Sequence, residues 1–161
     1  MTDIVAIASH ILGNTFLDSS KAADCNTDGV INVTDIVAVA NIILNSSAEG
    51  KSRILLPTKS NNDSGANFSI ASFNIDQNQE KIINIDLNTP GESDIFTAFQ
   101  FNLSLPKGVK IAEEDGHALV YLTNRTSLNN HTLECVKQTD DSYIILCYST
   151  NLSTFYFQKF F

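Results

Sequence analysis

The sequence predicts an α + β chain of more than one domain: a small helical pair at the start, then an antiparallel β-sandwich. Three observations predict it. An amphipathic segment occurs twice within the first 44 residues. A loop of alternating oxygen-bearing side chains leads into the second copy. Beyond residue 66 the texture changes to short strand-like runs separated by turns.

The helical pair comes first. Residues 2–12, TDIVAIASHIL, return at 34–44 as TDIVAVANIIL, with eight of eleven positions identical. Apolar residues fall at Ile4, Ile7, Ala8, Ile11 and Leu12, and again at Ile36, Val39, Ala40, Ile43 and Leu44. That spacing paints one stripe along a helix of 3.6 residues per turn. Asp3 and Asp35 stand at the helix starts, where a carboxylate suits the dipole. Gly13 is placed to end the first helix. Two equal stripes are expected to pack on each other.

The loop is DCNTDGVINVTD, residues 24–35. A Ca²⁺ ion takes six to eight hard oxygen ligands, and short side chains at alternate positions let a chain wrap around it. Here Asp24, Asn26, Asp28, Asn32 and Asp35 supply side-chain oxygens and Val30 its main-chain oxygen. Gly29 permits the bend, and Ile31 is expected to point into the core. The competing reading is a polar Asx turn capping a helix. Six agreeing positions followed by an amphipathic helix favour the cation loop.

Residues 47–66 read as linker, with a possible first strand in RILLP. The strand candidates that follow are 67–75, 81–87, 95–105, 109–112, 118–123, 132–138 and 143–149. In 95–105 the odd positions, including Phe99, Phe101 and Leu103, are almost wholly apolar, while Gln100, Asn102 and Ser104 are polar. The odd side is therefore expected to face the core. Residues 132–138 and 143–149 flank TDDS and read as a hairpin. Many strands without intervening helices favour a sandwich over 67–161.

Composition narrows the function. The net charge is −8, and residues 1–50 carry six acids against one base. Nucleic-acid binding is excluded as an expectation, because phosphate contacts need a basic face. No run is long and apolar enough to span a membrane. Cys25, Cys135 and Cys147 make an odd count, which leaves a Cys135–Cys147 bridge and free thiols both open. His10, His117 and His131 lie on separate segments, and no nucleophile elbow, zinc motif or phosphate loop is present. Catalysis is not expected.

The run DCNTDGVINVTDIVAVANIIL resembles a dockerin repeat: a Ca²⁺ loop of EF-hand type ending in Asp, followed by a helix. Dockerins carry two such repeats and dock onto cohesin modules of extracellular polysaccharide-degrading systems. The resemblance implies a module over 1–46 whose first repeat keeps its helix and Asp3 but lacks the preceding loop, so the chain is expected to be a piece of a longer one. It also implies partner contacts at Val33, Thr34, Asn41 and Asn45. Residues 69–111, with TAFQFNLSLPKGV, resemble the opening of a cohesin-like jelly-roll domain related to carbohydrate-binding modules, incomplete at its C-terminus. The implied function is a non-catalytic, Ca²⁺-dependent protein–protein assembly module, extracellular or at the cell surface. Its partner is a cohesin-like module, in trans or within the same chain. The alternative is a carbohydrate-binding sandwich with polysaccharide as ligand, using Phe96, Tyr121, Tyr143, Tyr148 and Tyr156 as a stacking platform.

Overall fold

The computed structural model describes residues 2–17, 20–46, 67–88, 96–123 and 130–155. The expected linker, RILLP, Asn45's side chain and Tyr156 lie outside what is described. The chain is α + β with antiparallel sheets.

Both helices form where the stripes predict them: α1 at Thr2–Ile11 and α3 at Val33–Ser46, with a short α2 at Ser20–Ala23 between them. Gly13, at φ 77°, ends α1. Its N–H donates to the His10 carbonyl and the Asn14 N–H to that of Ser9, the paired bonds of a Schellman cap. The Leu17 N–H donates to His10 Nδ1, so His10, half-buried, closes this loop. Ile4, Ile7, Ala8 and Leu12 are buried together with Ile36, Val39 and Ala40. The stripe of α3 does not stay buried to its end: Ile43 and Leu44 are 36% and 44% exposed. With 14 residues against 10, α3 has more turns than α1 can cover.

The main sheet orders its strands β3-β7-β6, where β3 is Ala98–Leu103, β6 is His131–Lys137 and β7 is Tyr143–Ser149. The β6–β7 hairpin forms as expected around residues 138–142, with Asp141 at φ 64° and the Asp140 carboxylate accepting from the Ser142 N–H and hydroxyl. As the central strand, β7 is buried on both faces, which is why YIILCYS reads as a nearly continuous apolar run.

The two faces have different covers. On one, Leu146 and Tyr148 join the buried helical residues in a single apolar cluster, with Ala98, Val136, Ile144 and Leu152 packed against it. On the other, Tyr143, Ile145 and Cys147 are buried beside the side on which Phe99 and Phe101 stand. The Phe99 ring lies 6.0 Å from Phe101 and 5.5 Å from Phe155, and His131 stacks on Phe155 at 4.3 Å. The odd side of β3 is thus apolar as expected. The difference is on its even side, where Ala98 and Gln100 meet the helical part while Asn102 stays exposed.

Strand extents differ more. Residues 109–112 and most of 118–123 are not strands. A tight hairpin of β4 (Glu113–Glu114) and β5 (His117–Ala118) takes their place, turning on Asp115 and Gly116 at φ 51° and 80°. Positive φ at both central residues is the type I′ turn favoured by Asp-Gly.

Residues 61–94 form a unit of their own. In it β1 (Asn67–Ile70) pairs with β2 (Ile85–Asn88), both shorter than the runs that contain them. The other compact unit is 1–60 with 95–161, so the helices and the main sheet, expected in separate modules, belong together. The reason is the shared apolar cluster. Cys25, Cys135 and Cys147 are free thiols. In the β6–β7 register Cys147 opposes Leu133 and Cys135 opposes Ile145, a diagonal placement too wide for a disulfide.

Burial pushes the Cys147 thiol up to about 12, and pushes Cys135 and Tyr148 up as well. An unfolded thiol ionises at about 8.5, so between that pH and about 12 the unfolded chain binds fewer protons and stability falls as pH rises. Urea unfolding at successive pH values is expected to show this decline starting near pH 9, and Cys147→Val to make it shallower. An unchanged slope in the variant would contradict the assignment.

Candidate metal loop

The loop 24–35 lies between α2 and α3, and its end is the start of α3. Asn32 is the helix N-cap: its Oδ1 accepts from the Thr34 N–H at 2.8 Å. Asp35, three residues on, reaches back so that Oδ2 accepts from the Asn32 N–H at 2.9 Å. This return bond is that of a capping box, with Asp in the place usually held by Glu, while the cap oxygen takes the N–H of the second helical residue. The other oxygen of Asp35 accepts from the Cys25 N–H at 2.7 Å and the Asn26 N–H at 3.3 Å. One fully buried carboxylate therefore ties the first residues of the loop to the last.

The first half of the loop curls around its own side chains. Asp24 accepts from the N–H groups of Asp28 and Gly29 at 3.1 and 3.0 Å. Asn26 Oδ1 accepts from the Asp28 N–H at 3.0 Å, and Asp28 Oδ1 from the Val30 N–H at 2.9 Å. Asn26 Nδ2 donates to Asp28 Oδ2 at 3.0 Å and to Thr34 Oγ1 at 2.8 Å. Gly29 at φ 89° and Thr27 at φ 58° allow the reversal. Asp24, Asn26, Asp28 and Asp35 are thus gathered in one small loop. Val30 is exposed and Asn32 is turned toward α3, while Ile31 packs against the apolar cluster as expected.

The field in the loop is negative. Burial, and after it the nearness of Asp24, pushes the Asp35 carboxyl pKa up, opposed by the three N–H donors. The Cys25 thiol is pushed up by burial and then by Asp35, Asp24 and Asp3, which places the acid of α1 in the same field. Among the described residues no Lys or Arg pairs with Asp24, Asp28 or Asp35; the ion pair present, Lys137–Asp141 at 2.7 Å, belongs to the β6–β7 hairpin. The donor set is three carboxylates and two amides, hard oxygens that fit a cation such as Ca²⁺. Among the described residues no three His, Cys, Asp or Glu side chains converge as a metal cage, so the amide and main-chain oxygens belong to any such site.

The positions assigned to partner contact have other duties here. The Val33 N–H donates to Gln100 Oε1 on β3 at 3.3 Å, and its side chain packs on the apolar cluster. The Thr34 hydroxyl donates to Asn32 Oδ1 while accepting from Asn26. Asn41 is half-buried. Two glutamines that pattern did not single out join helices to sheet: Gln100, and Gln138, whose Nε2 donates to the Leu12 carbonyl at 3.3 Å. A polar residue on a strand gives no sequence signal of what it will face.

In metal-free buffer, Asp35→Ala orphans three N–H groups and is expected to cost about 1–3 kcal/mol; Asn32→Ala, which removes the cap, about 1 kcal/mol. Urea unfolding with chelator present measures both, and parent-like stability in Asp35→Ala would deny the carboxylate its structural role. Comparisons of the chain with protein-family models, with curated proteins and with solved structures find no match.

Proposed function

We propose that the chain is a non-catalytic, Ca²⁺-dependent protein–protein assembly module of an extracellular polysaccharide-degrading or adhesion system. The observation that carries the proposal is the loop: a fully buried Asp35 beside the like charge of Asp24, with oxygen donors at alternate positions and no cationic side chain paired to them among the described residues. A bound Ca²⁺ would neutralise that field. The residues that would hold it are Asp24, Asn26, Asp28 and Asp35, with Asn32 and the Val30 carbonyl. Asp35 would keep the loop's two ends together and Asn32 the start of α3. The dockerin resemblance of 1–46 supplies the kind of partner, a cohesin-like module, and the jelly-roll likeness of 67–161 a second adhesion surface.

The carbohydrate-binding alternative has less support. Tyr143 and Tyr148, at 2% and 4% exposure, offer no ring face to a sugar. Tyr121, 76% exposed, does, and Phe96 is half-buried.

Calorimetric titration of the whole chain with Ca²⁺ tests the proposal. One site is expected, weakened roughly tenfold or more by Asp24→Ala or Asp28→Ala, since affinity follows ligand charge. Equal binding by parent and both variants would remove the loop from the account.

A further inference from the structure

We infer that the apolar face of α1 and α3 takes the chain's own three-stranded sheet as its partner, so that a divalent cation in the loop 24–35 holds the sheet as well as the helices. The inference rests on the loop's taking a cation, as proposed above, and adds where the effect is felt.

Three connections carry it. Within the loop, Ile31 packs on the cluster that contains Leu146 and Tyr148 of β7. The residue after Asn32, Val33, donates its N–H to Gln100 on β3. At the far end of α1, the Leu12 carbonyl receives Gln138 from the end of β6. All three strands of the sheet are therefore reached, two by polar contacts and the central one by burial. The cluster itself is undivided: Ile4, Ile7, Ala8, Leu12, Ile36, Val39 and Ala40 are buried with the two β7 residues. Had the helices been a free-standing module, the even side of β7 would need another cover. Ordering the loop fixes Ile31, Val33 and the first turn of α3, and those groups are part of the sheet's support. Linkage then runs both ways: a cation that favours the docked arrangement protects the sheet, and loosening the sheet weakens the cation by the same factor.

The test is amide hydrogen exchange on the whole chain, with Ca²⁺ or with chelator, alongside calorimetric Ca²⁺ binding. Exchange at residues 144–148 is expected to slow by roughly tenfold or more with Ca²⁺, and not to respond in Asp24→Ala. Gln100→Ala, which removes none of the proposed oxygen ligands, is expected to lower Ca²⁺ affinity. If Ca²⁺ binds and protects only residues 24–46, the inference is overturned while the loop's role stands. If Ca²⁺ does not bind, both fall.

Discussion

The structure depends most on one buried carboxylate. Asp35 accepts three N–H groups, two from the beginning of the loop and one from the cap of α3. It converts a twelve-residue polar excursion into a closed turn, and it fixes where the long helix starts. Register follows from that start. Sliding the sequence by one residue against that anchor would turn the stripe by about 100° and take Ile36, Val39 and Ala40 out of the cluster. The same group is costly, since it lies in the field of Asp24 and away from water. A carboxylate held this way, with no cationic side chain paired to it among the described residues, is what gives the cation reading its physical force.

The second constraint is the shared apolar cluster. Neither the helix pair nor the three-stranded sheet is large enough to bury its own apolar face. Pressed together, they enclose Leu146 and Tyr148 on one side and Ile4, Leu12 and Ile36 on the other. The sheet still has a second face, where the Phe99 and Phe155 rings meet at a tilt and the Tyr143 hydroxyl accepts from the Ile111 N–H. Ser149, the buried last residue of β7, accepts from the Ser153 N–H and turns the chain so that Leu152 reaches one face and Phe155 the other.

Much of this was legible in the residues. Period and capping chemistry are local, so the repeated stripe located α1 and α3, Gly13 located the end of α1, and the TDDS turn located the β6–β7 hairpin. The loop's spacing was legible for the same reason. What was not legible depends on long-range contact. The alternation in 95–105 shows two faces but not what covers each, and Gln100 on the polar side meets α3. The short β4–β5 hairpin was hidden because an acidic run looks like a plain turn. The grouping of α1 and α3 with residues 95–161, leaving 61–94 apart, follows from packing that no window of sequence contains. Tyr143 and Tyr148 looked available for a ligand only because period alone does not reveal a strand covered on both sides.

The measurement that bears most directly on the account is a crystal structure of the chain grown with Ca²⁺, with anomalous scattering used to find the ion. The account predicts one ion among the oxygens of Asp24, Asn26, Asp28 and Asp35, with the Asn32–Asp35 capping box kept. A structure in which the ion binds elsewhere, or in which the loop holds the same hydrogen bonds around no ion at saturating Ca²⁺, would contradict it.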